Sequence, residues 1–229
     1  MGFYLNNISV IIPTLNAGNE LERAIESVND IAMEIIVVDG GSKDDTVKIA
    51  RKYGARVFRT ERGRGLQLSE GALQAVGDWF LFLHADTVLG AGWPVEVASF
   101  LKKITDQNNV AGAFRFRLSE ETRVGRILQI LVFWRCRIFG LAWGDQGLFL
   151  SRKFYGELGG YNTTMPIFED VNLIRRIGKR RLHLLETPAI TSASKYRKDG
   201  YIRRICLNAG CLLAFFLKIS PSLIERFYR

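Results

Sequence analysis

Four short β-branched or aromatic runs, at residues 10–12, 35–38, 57–59 and 80–83, constrain the fold more than any other feature of the chain. Between the first two, Leu21, Ala24, Ile25 and Val28 recur at i, i+3, i+4 and i+7, which gives a helix with one apolar face. Val47, Ala50 and Tyr53 repeat that pattern less fully after the second run. Strands alternating with amphipathic helices form βαβ units, so the expected fold is α/β with a mostly parallel sheet and flanking helices.

Each run stops in polar or glycine-bearing residues: Pro13, Thr14, Leu15 and Asn16; Asp39, Gly40, Gly41 and Ser42; His84, Ala85, Asp86 and Thr87. Open parallel sheets bind ligands at the carboxyl ends of their strands, so these clusters are expected to converge on one crevice. The second half reads differently. Strands are expected near residues 111–116 and 148–151, an apolar-basic stretch over 123–143, a helix over 169–177 and a last helix over 200–217 before Pro221. No repeat, low-complexity segment or linker separates the halves. With 229 residues, 48% of them apolar and 24% charged, the chain reads as one domain over 1–229. Its expected parts are a ligand-binding half of about residues 1–110 and a second half of about 111–229, with helices at the C-terminal end.

Several residues suit a nucleotide. Asp39 ends a buried strand, where its carboxylate can accept a hydrogen bond from a base, and Gly40 and Gly41 let the backbone approach the ligand. Ser42 and Asp44 are equally good caps for the helix that starts near Asp45. Arg64 and Gln67 lie in the RGRG-L-Q stretch of residues 62–67 at a helix start, a place that suits phosphate. Arg62 there also reads as a solvated turn. Glu169 and Asp170 open a helix, where acids interact well with the N-terminal dipole.

Taken in order, SVIIPTLN (9–16), EIIVVDGGS (34–42) with Asp45 and Thr46, FLHAD (82–86), GDQG (144–147), GGY (159–161) and FED (168–170) resemble glycosyltransferase family 2 over residues 8–200. The resemblance implies a GT-A-type fold and an inverting transfer from a nucleotide-diphospho-sugar donor. It implies donor contacts from Pro13, Thr14, Leu15, Asn16, Asp39, Gly40, Arg64, Gln67, Ala85 and Lys195. Asp86 would hold Mg²⁺ or Mn²⁺, His84 standing where the family has a first acid. Asp170, with Glu169 beside it, would be the catalytic base that deprotonates the acceptor hydroxyl. Trp143, Asp145 and Gln146 match a segment that lines the acceptor side, although Trp143 reads equally as core. Ser194 and Lys195 replace the family's arginines, and lysine lacks their bidentate fork. The acceptor itself, a lipid or a small molecule, is not implied.

The net charge of +9 collects after residue 115 and attracts nucleic acid, anionic lipid or phosphorylated small molecules alike. A nucleic-acid scaffold is disfavoured, because acids at 39, 86 and 170 would repel phosphate. A sugar nucleotidyltransferase would need a basic glycine-rich loop directly after the first strand, and PTLNAG (13–18) lacks it. Cys136, Cys206 and Cys211 form no disulfide framework or CxxC pair, and residues 1–12 carry no signal-peptide pattern, so a cytoplasmic location is expected. No apolar run is long enough to span a bilayer. The stretch 123–143, with Arg126, Arg135 and Arg137, and the last helix, with Arg203, Arg204 and Lys218, suit peripheral contact with the inner membrane face. Packing on the sheet or a dimer interface suits them as well.

Overall fold

The computed structural model describes residues 7–104 and 109–228; residues 1–6, part of the signal-peptide reading, and the ends of the 1–229 domain lie outside the described residues. The first half runs β1 (Ile8–Thr14), α1 (Gly18–Glu26), β2 (Glu34–Asp39), α2 (Thr46–Lys52), β3 (Arg56–Arg59), α3 (Arg64–Gln74), β4 (Trp79–Phe82), β5 (Thr87–Leu89) and α4 (Trp93–Lys103). The second runs β6 (Ala111–Leu118), α5 (Arg123–Phe139), a 3-10 turn (Gly144–Gln146), β7 (Leu148–Ser151), α6 (Arg152–Glu157) and α7 (Glu169–Ile177). A second 3-10 turn (Lys179–Arg181), β8 (Leu182–Thr191), α8 (Ser194–Asp199), α9 (Tyr201–Phe216) and α10 (Pro221–Tyr228) complete it.

The eight strands of the described residues join one sheet in the order β3-β2-β1-β4-β7-β6-β8-β5. The parallel arrangement expected from the βαβ pattern holds for β1 to β4, with Thr14 opposite Asp39 and Ile11 opposite Phe82. Beyond β4 the sheet is mixed: β7 is antiparallel to β4 and β6, and β5 is antiparallel to β8. The reversal has a local cause. β7 leaves the 3-10 turn at the carboxyl end of β4, so it must run back from that end. Pairing of Thr87 with Thr191 then brings the segment after β8 beside Asp86, whose carbonyl accepts a 2.9 Å bond from the Ser192 amide.

β1, β2, β4 and β7 are buried on both faces, which explains their unbroken apolar runs, whereas the edge strand β3 and most of β8 are half-buried or exposed. Val10, Ile12 and Val37 face Leu21, Ile25, Trp93 and Val97, while Ile11, Ile36 and Val38 face Leu68 and Ala72 of α3 and Leu128 and Val132 of α5. α3 lies close on the sheet because Gly71 carries no side chain: a Cβ there would strike Ile11 and come within 3.2 Å of Val38. The elements with the weakest local signal are β8, which carries Pro188 and pairs with β6 across an irregular register, and the short helices after it.

Candidate active site

The turn after β2 is built around Asp39. Its side chain is fully buried and accepts bonds from the amides of Gly41 at 3.1 Å and Ser42 at 3.0 Å and from the Ser42 hydroxyl. Ser42 therefore serves Asp39 and the Asn16 amide (2.8 Å) rather than capping α2. Asp44 takes the capping part of that pair, accepting from the Thr46 amide at 3.1 Å and from Gly18 at 3.0 Å. Thr14 is buried against the same carboxylate, its hydroxyl 3.4 Å from Asp39 Oδ1, and Asn16 adopts a left-handed conformation that its amide side chain tolerates, accepting from the Lys43 amide at 2.8 Å. Pro13, Leu15 and Gly40 flank this turn.

A cavity of about 110 Å³ is lined by Arg64, His84, Asp86, Trp143, Asp145 and Asp170, together with Lys195; of the three polar clusters expected to converge there, only the one at residues 84–87 contributes, and residues 13–16 and 39–42 are not in its lining. The C-terminal helices roof it through Arg204, Asn208 and Tyr228. Asp86 lies between β4 and β5, directly before Thr87, and pairs with Lys195, Nζ to Oδ2 at 3.0 Å. Burial raises the Asp86 carboxyl, but the Lys195 ammonium overcomes it and holds the group below the usual carboxylate range. His84 is pushed down to about 3 by burial and the nearby Arg64, so its imidazole is neutral at physiological pH.

Asp170 is placed by the 3-10 turn and by its own helix. Its Oδ2 accepts from the Gly144 amide at 2.7 Å and its Oδ1 from the Val171 amide at 2.7 Å. Phe168, one residue before the acid pair, takes a left-handed conformation (φ 65°), which is costly for a bulky residue and is held by packing on Phe215 at 5.1 Å. Val171, Ile174 and Ile177 face the core, as their spacing predicts. Gly144 must remain a glycine: a methyl group there would collide with His84 Nε2 and approach Asp170 Oδ2 to 3.2 Å. Gly144→Ala is expected to lower kcat/KM by about 100-fold in a steady-state assay, since it displaces both neighbours at once.

Other residues singled out in the sequence have different duties. Glu169 is 1% exposed and turned away from the cavity lining, 3.5 Å from Arg64, which stands half exposed at the rim. Burial pushes the Glu169 carboxyl up to about 7 against the pull of Arg64, and Asp170 adds to the rise. Gln67 does not reach the cavity; its amide nitrogen ties the ends of β1 and β2 together through the Thr14 and Val38 carbonyls, both at 2.8 Å. Gln146 is likewise turned into the core, donating to the Phe114 carbonyl at 2.9 Å and accepting from Arg135 at 3.1 Å. Ala85 is buried beside the strand end. Trp143 lines the cavity with Arg135 stacked 4.0 Å from its ring centre, so Arg135 braces the site instead of facing outward. The sequence points Arg204 to a membrane-facing rim rather than to this roof, and gives no sign of Asn208, Tyr228 or Tyr196; the spacing of Arg204 and Asn208 on α9 is the one available signal.

Three buried polar atoms in this cavity lining lack a hydrogen-bond partner: Trp143 Nε1, Asp145 Oδ1 and Asn208 Oδ1. Buried polar groups are seldom left unpaired, so their gathering in one cavity marks a place where a polar ligand completes them. Burial raises the Asp145 carboxyl to about 6, with Arg135 opposing and Asp170 and Asp86 adding to the rise. The sign follows. Between roughly pH 4 and pH 6 the folded state keeps a proton on Asp145 that the unfolded chain, titrating near 3.9, has lost. Stability from this group is present at pH 4 and declines as pH rises through 6. Urea denaturation from pH 4 to 7 should show wild type losing stability relative to Asp145→Asn.

The sheet, with its ligand crevice at the strand ends, is that of a GT-A-type nucleotide-diphospho-sugar transferase fold. It resembles S. aureus TarS residues 1–349 (TM-score 0.65, 15% identity, 96% of this chain and 69% of that one). It also resembles glucosyl-3-phosphoglycerate synthase from Mycobacterium tuberculosis, solved with Mn²⁺, UDP-glucose and phosphoglyceric acid (TM-score 0.54, 23%, 79% and 69%). The sequence pattern of glycosyl transferase family 2 matches residues 9–165, and the chain belongs to that family. A PGL/p-HBAD biosynthesis glycosyltransferase of Mycobacterium bovis is 31% identical over 177 residues, 71% of this chain and 66% of that protein. A glycosyltransferase of Rickettsia conorii described as uncharacterized is 45% identical over 83 residues, 36% of this chain and 29% of that protein. The chain thus spans just under two thirds of the mycobacterial relative's length and less of the rickettsial one.

Proposed function

We propose that the chain moves a sugar from a nucleotide-diphosphate donor to an acceptor hydroxyl, with inversion at the anomeric carbon. The observation that carries this reading is the placement of Asp86 and Asp170, from the two halves of the chain, in the lining of one cavity with Arg64 and Lys195. Residues 1–110 supply the donor half: the Asp39 turn, with Thr14, meets the base, and Arg64 and Lys195 face the diphosphate. Residues 111–229 supply the acceptor half, where Trp143, Asp145 and Asn208 offer unpaired polar atoms suited to sugar or acceptor hydroxyls.

Asp86 offers a hard carboxylate oxygen and His84 a neutral imidazole, and among the described residues no larger group of His, Cys, Asp and Glu could hold a metal ion by itself. Such a donor set fits Mn²⁺ or Mg²⁺ when diphosphate oxygens and water complete the shell. When bound, the ion would neutralise charge developing on the leaving diphosphate. Asp170, fixed by the Gly144 and Val171 amides, keeps further acceptor capacity on both oxygens and takes the proton of the attacking hydroxyl. Arg64, anchored by Glu169, holds the donor in line.

The test is release of a nucleoside diphosphate from a panel of UDP- and GDP-sugars with Mn²⁺, offered small polyols and a lipid extract as acceptors. Donor turnover dependent on an acceptor supports the proposal. Pyrophosphate release from a sugar phosphate and a nucleoside triphosphate, with no donor turnover, would sink it.

A further inference from the structure

We propose that α5, α9 and α10 form a docking face for an anionic bilayer surface, an assignment that holds whether or not the transferase reading does. Apart from Met33, Leu73, Val76 and Val95, every large apolar side chain exposed among the described residues lies on these helices or beside them. A packed helix normally shows water its polar side. Here the order is inverted. The outward stripe of α5 carries Ile127, Ile130, Leu131, Trp134 and Ile138, at helical spacing, and that of α9 carries Ile202, Leu213, Phe216 and Leu217. The inward stripe of α5, Leu128, Val132 and Cys136, is apolar as well and is already spent on the core.

The two stripes are continuous. α5 packs on α9, and Phe139 at the end of one and Phe216 at the end of the other line a common groove with Arg175 and Lys179. α10 adds Leu223 and Phe227. Arg175 lies 5.4 Å from the Phe216 ring, so a cation already borders the apolar surface.

Charge decides the occupant. Neither α5 nor α9 contains an Asp or Glu, and among the described residues no acid lies within ion-pair distance of Arg123, Arg137, Arg203 or Lys218, which rim the face. Arg126 alone of the α5 rim is answered, by Glu121 at 3.6 Å. A second copy of the chain docked symmetrically would set these cations against their own kind, with Glu225 of α10 the one acid that the three helices contain. Nucleic acid would satisfy the rim but leave the apolar centre facing phosphate. An anionic bilayer satisfies both, with apolar side chains entering the acyl boundary and the arginines among the headgroups. No helix of the described residues is long and apolar enough to cross a membrane, so the contact is interfacial. Two residues of the basic rim read from sequence do not belong to it. Arg135 is braced under Trp143, and Arg204 turns into the cavity beside Asp199 (3.2 Å), its side chain 12% exposed.

The experiment is co-sedimentation with phosphatidylcholine vesicles, with and without phosphatidylglycerol. Wild type should bind the anionic vesicles at least about tenfold more tightly than the neutral ones, and about 0.5 M salt should weaken that binding. Leu131→Glu with Leu213→Glu, both exposed positions, should lose vesicle binding by about tenfold or more while circular dichroism and Tm stay unchanged. Three outcomes overturn the proposal: no binding to anionic vesicles at low salt, equal binding by the folded double variant, or a dimer in light scattering that the double variant dissolves.

Discussion

Replacing Asp170 with asparagine is expected to lower kcat by about 10³-fold while leaving donor affinity unchanged. Asparagine keeps one amide oxygen that can accept from the Gly144 amide, now at 2.7 Å from the carboxylate, and gives up only the bond from the Val171 amide of the same helix turn, so the tie between the 3-10 turn and α7 is retained. What disappears is the proton-accepting group. Without it the acceptor hydroxyl must attack still carrying its proton, and the barrier rises by the whole contribution of general-base catalysis. The measurement is steady-state nucleoside diphosphate release beside equilibrium donor binding. Unchanged turnover in the variant would move the base to another residue; lost donor binding would assign Asp170 to holding the donor instead.

Asp86→Asn is expected to remove metal-dependent donor binding and to lower kcat by about 10²- to 10³-fold, the usual range for deleting one group aimed at developing charge. Two effects act together. A neutral amide is a poorer ligand than a carboxylate for a hard divalent ion. Lys195, whose ammonium now sits 3.0 Å from the Asp86 carboxylate, also loses its partner and leaves a net positive charge at the strand end. The two variants therefore separate by measurement: Asp170→Asn keeps the Mn²⁺-dependent rise in Tm with donor, and Asp86→Asn loses it.

How much of this was legible depended on whether the cause was local. β1, β2 and β4 and their polar endings were readable because a strand buried on both faces must be an unbroken apolar run, and because Asp39, Asp86 and Asp170 each stand at the boundary of an element. The mixed half was not. β8 carries Pro188 and an irregular register, and its place in the sheet is fixed by β5 and β6 pairing rather than by its own pattern. Of the residues singled out in the sequence, Arg64, Asp86, Trp143, Asp145, Asp170 and Lys195 line one cavity, whereas residues 13–16, Asp39, Gly40 and Ala85 do not. The motifs could not tell a ligand-facing amide from a buried tie, so Gln67 and Gln146 turn out to hold the backbone. Nor could they separate Arg203 from Arg204, adjacent on α9, one outward and one in the cavity roof, because that choice is made by packing of α9 and α10 on Phe168 and Val171.

Glu169 illustrates the same limit at closer range. A carboxylate next to the proposed base reads as part of the catalytic pair, yet its burial beside Arg64 makes it the anchor of a cation at the cavity rim. The helical step between neighbouring residues, about 100°, is enough to send one acid into the cavity and the other behind it.

The most direct test of the central claim is a thermal melt of the wild-type protein with nucleotide-diphospho-sugars, with and without Mn²⁺. A ligand that binds only the folded state at 100 times its Kd stabilises it by about 2.7 kcal/mol. The account predicts that at least one UDP- or GDP-sugar raises Tm by several degrees, that Mn²⁺ is required for the full rise, and that Asp86→Asn abolishes it. A melting temperature indifferent to every nucleotide-sugar in the presence of Mn²⁺ would contradict it.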